Sequence, residues 1–280
     1  MRLLTLGVMT ALLTVPLLGR PMERQIIGAE QDHSLESESG DCDHFFKTTF
    51  TSFESQVHDQ EQHEIDLDGI AELRVTAADE GGVSVRGWSK PQARLIVCRY
   101  AVAHDRTHAL RLLSTLQVSH KNGEIAAFGP PNDETQAWWV NMILYVPRRA
   151  TVAVRASNGG VAIRNMNGIV TAHASSGGVS VAQSTGRYRI STDSGGITLD
   201  RVMGDVEATS QDGAIALKLP VTEAPAIEAK TADMGHINCT LKSCEEGKWD
   251  RRRQQLRLGE GSPRIRLTTT GAAITIAPVF

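Results

Sequence analysis

Asn158-Gly159-Gly160-Val161, Ser176-Gly177-Gly178-Val179, Ser194-Gly195-Gly196-Ile197 and Asp212-Gly213-Ala214-Ile215 are copies of one turn, 18 residues apart. Two positions beyond each opening aliphatic stands another: Ile163, Val181, Leu199, Leu217. Between these turns runs a second marker, Gly168, Gly186, Gly204, at the same spacing of 18. It is followed at plus two by Val170, Tyr188, Val206 and at plus four by Ala172, Ile190, Ala208. The repeating unit is therefore two short strands and two turns.

Side chains on a strand alternate between faces, so apolar residues at every second position mark one buried face. Glycine enters left-handed conformations without steric cost, and Asn, Asp and Ser bond back to local backbone. A fixed period near twenty residues signals a solenoid. Like strands would then stack about 4.8 Å apart in parallel sheets, since one unit cannot bury its own face. The competing arrangement is an antiparallel meander, because Asn-Gly recurs at Asn158-Gly159 and Asn167-Gly168. A meander does not explain why alternate strands differ while every second one matches. The expected fold is all-β: a parallel β-helix-like solenoid of about 18-residue rungs, preceded by a β-rich part with one short helix.

The 280-residue chain is 41% hydrophobic and 22% charged, with a net charge of −3, which gives no electrostatic case for nucleic acid. Aromatic residues make up only 5%, too few for a wide stacking platform. Arg2 followed by the apolar run Leu3 to Leu18 is expected to be a secretory signal peptide, residues 1–19. That run is close to the ~17 residues that span a bilayer, so a retained anchor is the alternative and the only membrane contact expected. Ala29 to Asp43 is acidic and Ser-rich, and residues 20–43 are expected to be a flexible linker. Residues 44–150 form the β-rich part and 151–280 the repeats.

Within 44–150, Leu73-Arg74-Val75 followed by Gly81-Gly82-Val83-Ser84-Val85 echoes the later unit, with one more residue between its strands. Asp105 is a candidate N-cap for a helix to Leu116, with Ala109, Leu112, Leu113 and Leu116 on one face. Val118 to Phe128 around Asn122-Gly123 is expected to be a hairpin. The adjacent pair Trp138-Trp139 points to opposite faces of a strand, which favours core packing over a sugar platform. After Leu217 the period slips, and the next rung is expected at Ile237, Cys239 and Leu241. Arg251-Arg252-Arg253 is expected to serve solubility. Ile265, Leu267, Ile274 and Ile276 form the closing unit, with Phe280 as a plug at the solenoid end.

These features resemble the bacterial putative-adhesin family of β-strand-repeat proteins, which has no assigned biochemical function. The resemblance rests on Val146-Pro147, the Val152/Val154 strand entering Asn158-Gly159-Gly160-Val161, the Ser-Gly-Gly-Val units, and the closing Arg264-Ile265-Arg266-Leu267 and Gly271-Ala272-Ala273-Ile274. It implies a right-handed β-helix-like domain at the cell envelope and carries over no catalytic residue.

Polysaccharide-cleaving β-helices need carboxylates or bases converging on an outer patch. The outward positions here are Arg155, His173, Ser191, Thr209; Thr171, Arg189, Glu207; and Ile169, Arg187, Asp205. Asp205 and Glu207 are expected to pair with Arg187 and Arg189 one rung below. His173 is expected to stand alone, with no Ser/His/Asp set assembling by spacing. Calcium-binding repeats of the Gly-Gly-x-Gly-x-Asp type are not matched, and Cys239-x4-Cys244 beside His236 lacks a second pair for zinc. No cofactor or metal is expected. The four cysteines are an even set in an exported protein and are expected to pair as Cys42–Cys98 and Cys239–Cys244. The expected role is binding or structural, in the periplasm or at the cell surface. Arg155, His173, Arg187, Arg189, Asp205 and Glu207 would be outer-face contacts to an envelope glycan or protein. The alternatives are an accessory of envelope-stress signalling and a polysaccharide-acting enzyme.

Overall fold

The computed structural model describes Cys42 and residues 55–220, 225–232, 235–246, 248–250, 254–260 and 264–279. The signal segment, the linker up to residue 41, Arg251 to Arg253 and Phe280 lie outside the described residues.

The chain is all-β. In order it forms β1 (Ser55–Ile65), β2 (Leu73–Thr76), β3 (Val83–Trp88), β4 (Ala93–Ala103), α1 (Arg106–Thr115), β5 (Gln117–Lys121), β6 (Glu124–Phe128), β7 (Gln136–Pro147), β8 (Thr151–Ala156), β9 (Val161–Arg164) and β10 (Ile169–Ala174). It continues with β11 (Val179–Thr192), β12 (Ile197–Ser210), β13 (Ile215–Pro220), β14 (Ala226–Thr231), β15 (Ile237–Cys239), α2 (Ser243–Glu246), β16 (Lys248–Asp250), β17 (Gln255–Leu258), β18 (Arg264–Thr269) and β19 (Ile274–Val279).

The 18-residue period becomes parallel pairing. Val179 lies between Val161 and Ile197, and Ile197 between Val179 and Ile215. The second strand of each unit follows suit, with Ile169 between Thr151 and Arg187. Two ladders result. One contains β8, β10, the end of β11 and the end of β12; the other contains β9 and the starts of β11, β12 and β13. Because β11 and β12 each run through both ladders, all nineteen strands among the described residues share one hydrogen-bonded network. The sheet is mixed, with antiparallel pairs β1–β4, β4–β7, β5–β6, β14–β17 and β16–β17 toward its ends.

The inward columns are almost free of water. Val161, Val179, Ile197, Ile215 and Ile274 form one; Val152, Val170, Tyr188, Val206 and Ile265 form another, every member 2% exposed or less. Each such aliphatic side chain contributes about 1.5–3 kcal/mol on leaving water. Tyr188 fits because its hydroxyl donates to the Met166 carbonyl at 2.9 Å, and burial pushes its pKa up to about 12.

The glycine pairs have unequal jobs. A Cβ on Gly177, Gly195 or Gly213 would strike the carbonyl oxygen of the matching glycine one unit earlier, whereas one on Gly160 would meet only the Gly178 oxygen at 3.5 Å. The first glycine is demanded by the close approach of successive backbones. The second is less constrained: a Cβ on Gly178 or Gly196 would meet the next carbonyl oxygen at 3.1 or 3.2 Å, a contact that small shifts relieve, and Ala214 fills that place in the fourth turn.

The order of units in space departs from the order in sequence at both ends. β2 and β3 lie between the β6/β7 unit and the β8/β9 unit. The extra residue read in this early unit is real: Leu73 pairs with Val152, but Val83 with Val161. At the other end, β18 lies between β12 and β14, and β19 between β13 and β15. The expectation that the last unit closes the stack is therefore corrected. One reason is visible in the outward side chains. In sequence order Glu207 of β12 would stand beside Glu228 of β14; with β18 inserted, Arg266 separates them, in register with both.

The remaining local readings hold. Asp105 caps α1 by accepting from the His108 N–H at 2.9 Å. Ala109, Leu112 and Leu113 are buried, and α1 packs on β4 and β1. Asn122 and Gly123 take left-handed φ values of 54° and 79° in the tight β5–β6 turn. Both tryptophans are buried, on opposite faces of β7. Trp138 joins the main core, and Trp139 stacks on Tyr100 at 5.1 Å in a second cluster with Ile96, Cys98, Val102, Ile143 and Cys42. Cys42 and Cys98 are bonded, as are Cys239 and Cys244, and no described cysteine is free.

Candidate functional site

Outward side chains of a parallel ladder fall into rows one strand apart, so charge on them is a matter of register. Arg189 Nε lies 3.1 Å from Glu207 Oε2, and Arg187 Nε lies 3.7 Å from Asp205 Oδ2. The two arginine side chains are 71% and 75% exposed, so water screens both pairs and each stabilises by about 0.2–1 kcal/mol at most. Arg155 is exposed and stands in register between Thr76 and His173.

The Arg189 row continues past the expected residues. Arg266, Glu228 and Arg257 follow Glu207 in register, so charge alternates across five strands. Glu228 is the hub: Lys230 Nζ and Arg257 Nη2 each lie 2.9 Å from its Oε1, and Arg266 Nε lies 3.9 Å from its Oε2. The bond from Lys230 and then that from Arg257 hold its carboxyl below the usual range, against the opposing effect of burial. Sequence reading missed Arg266, Glu228 and Arg257 because they join the row only through the out-of-order insertion of β18 and the antiparallel return of β17.

His173 does not stand alone. Its Nδ1 lies 3.0 Å from Ser191 Oγ, and its Nε2 lies 3.8 Å from Asp193 Oδ2. A serine, a histidine and an aspartate thus meet on the open face, which corrects the expectation that no such set forms. The signal was available: Ser191 follows His173 by one period, and Asp193 lies two places further on, just past the end of β11. The set differs from a working nucleophile in two respects. At 3.8 Å the carboxylate is beyond hydrogen-bond reach of the imidazole and cannot fix its tautomer. The nearest turn N–H groups, of Asp193 and Ser194, are already donated to the Ala174 and Ser175 carbonyls, so they cannot hold an oxyanion.

Among the described residues, no cluster of His, Cys, Asp and Glu has the makings of a metal site. Cys239 and Cys244 are committed to each other.

No protein-family model matches the chain, and no curated protein matches it. Solved structures similar to it include a putative cell adhesion protein from Clostridium sporogenes, 12% identical, with a TM-score of 0.41, covering 80% of this chain and 100% of that one. A putative adhesin from Bacteroides fragilis is 14% identical with a TM-score of 0.35, covering 80% and 98%. A putative lipid binding protein from Parabacteroides distasonis is 10% identical with a TM-score of 0.34, covering 79% and 97%. Proteins of the first two kinds are those that the glycine repeats resemble.

Proposed function

We propose that this chain is an exported β-solenoid of about 18-residue turns that binds or scaffolds at the cell envelope and does no catalysis. The observation that carries this reading is the alternating row Arg189, Glu207, Arg266, Glu228, Arg257, laid on an open face that is parallel from β11 to β14 and antiparallel at β17. Such a row offers repeated weak contacts to an extended glycan or protein and no enclosed centre for chemistry. Export is supported by the apolar run after Arg2 and by two disulfides, which persist in oxidising compartments. The partner is an envelope glycan or protein, met across several strands at once.

The test has two arms. Fractionation of the native host should place the protein outside the cytoplasm, with no alkylatable thiol. The purified protein, screened against polysaccharides, should bind without releasing reducing ends or unsaturated sugars, and binding should weaken when several row residues change together. The contact of His173 with Ser191 and Asp193 favours one rival reading, a surface hydrolase. Ester or glycan hydrolysis abolished by Ser191→Ala or His173→Ala would establish it and end the non-catalytic reading.

A further inference from the structure

The opposite ladder carries a cluster that the row of Arg189 does not include. Residues Glu64, Arg94, Tyr145, Arg86 and Arg164 stand in register across β1, β4, β7, β3 and β9. Arg86 and Arg164 are direct neighbours in that row. Two residues along β3 lies Trp88, half-buried, its ring 5.4 Å from that of Tyr145. Arg94 lies over the indole at 5.1 Å and Lys90 at 4.9 Å, while Arg86 lies over the Tyr145 ring at 5.6 Å.

Hydrogen-bonding capacity in this cluster is lopsided. The indole N–H is already given to the Gln92 carbonyl at 2.9 Å, and the Tyr145 hydroxyl accepts from Arg86 Nη1 at 3.0 Å. The Tyr145 hydroxyl hydrogen has no acceptor among the described residues. Among the described residues Arg94 reaches one carboxylate, Glu64, at 3.9 Å, and its Nε is buried without a hydrogen-bond partner. Among the described residues no ion pair engages Lys90 or Arg164. Cation–π contact uses the ring face and leaves the in-plane N–H groups of a guanidinium directed at whatever lies beside it. The cluster therefore has donors and positive charge in excess, on a protein whose net charge is −3.

We propose that Trp88, Lys90, Arg94, Tyr145 and Arg164 form a binding site for an acidic glycan, one whose sugar units bear carboxylate or phosphate groups. Arg94 and Arg164 bind the anionic groups through their N–H edges. Lys90 adds charge from the β3–β4 turn, and the Tyr145 hydroxyl donates to a ring or carboxylate oxygen. The half-exposed indole and phenol present edges to the sugar ring. A lipid surface fits less well: among the described residues the large exposed hydrophobics are Leu110, Phe128 and Ile169, none of which belongs to the cluster. This inference rests on the reading of the chain as a binding scaffold but concerns a different ladder from the Arg189 row.

The test is calorimetric titration of the full chain with oligogalacturonate, with a phosphate-bearing oligosaccharide, and with a neutral galactan oligomer, at low salt. Co-sedimentation with phosphatidylglycerol vesicles runs in parallel. The wild type should bind at least one acidic probe and ignore the neutral one, with the carboxylate and phosphate arms telling which anion is preferred. Arg94→Gln should weaken binding by about tenfold or more, since charge-assisted bonds are lost. Lys90→Glu and Arg164→Glu change exposed side chains and keep the test sound should Trp88→Ala or Arg94→Gln misfold. Each should weaken binding several-fold, and Arg187→Ala with Arg189→Ala should leave it intact. No binding of either acidic probe, equal binding of the neutral one, or binding to vesicles alone would overturn the proposal. Binding that only the Arg187 and Arg189 changes weaken would also overturn it, while leaving the scaffold reading standing.

Discussion

The insertion of the last unit makes Ile274→Ala a decisive perturbation. Ile274 is fully buried and pairs in register with Ile215 on one side and Ile237 on the other. Truncation removes three carbons from a column with aliphatic neighbours both above and below. Loss of burial and the resulting cavity should together cost about 2–5 kcal/mol, the range for buried Ile-to-Ala changes. That is a large share of the roughly 5–15 kcal/mol that holds a typical domain. Thr275→Ala, one residue on but facing water, should change stability by less than about 0.5 kcal/mol. Urea unfolding of both variants measures the difference. Amide exchange adds the spatial part: β14 and β15 are held to the rest through β18 and β19, so their amides should open more easily in Ile274→Ala than in the wild type. A plug at the end of the stack would pack on one side only and hold nothing beyond it. A cost below about 1 kcal/mol, with unchanged protection at Ile227 and Ala229, would refute the inserted position.

Further expectations follow from the turns and the charge row. Gly177→Ala should destabilise severely, because its methyl would meet the Gly159 carbonyl, whereas Gly160→Ala should be mild; equal thermal shifts in the two variants would contradict the turn geometry. Arg266→Glu would align three carboxylates at positions 207, 266 and 228, and should cost about 1 kcal/mol or more, lessened by salt; a salt-independent effect would count against the row. Glu228 has a depressed pKa in the folded chain, first through Lys230. Its contribution is therefore complete above the ordinary glutamate pKa and is lost as pH falls through the depressed value. Glu228→Gln should accordingly flatten the acid limb of the stability profile and lower stability at neutral pH, and an unchanged acid limb would remove Glu228 from the account.

The repeat from Asn158 to Leu217 was legible because its geometry is local. A period of 18 with glycines at the turns leaves Val161, Val179, Ile197 and Ile215 nowhere to go but one column, and each unit needs only its nearest neighbour. The capping Asp105, the Asn122-Gly123 turn and the two-sided burial of Trp138 and Trp139 were legible for the same reason, since alternation and capping act over a few residues. The ends were not. Nothing in the spacing of Ile265, Leu267, Ile274 and Ile276 says whether they follow Ile237 or precede it in space. Both arrangements bury the same columns, and the choice depends on which outward residues become neighbours, as Arg266 does between Glu207 and Glu228. The candidate sites divide likewise. Arg187, Arg189, Asp205 and Glu207 lie one period apart and could be paired from sequence alone. Trp88 and Arg94 are six residues apart, but Tyr145 and Arg164 lie more than fifty residues further on; the set comes together through an antiparallel and two parallel pairings, so only the tertiary structure brings its charges and rings onto one face.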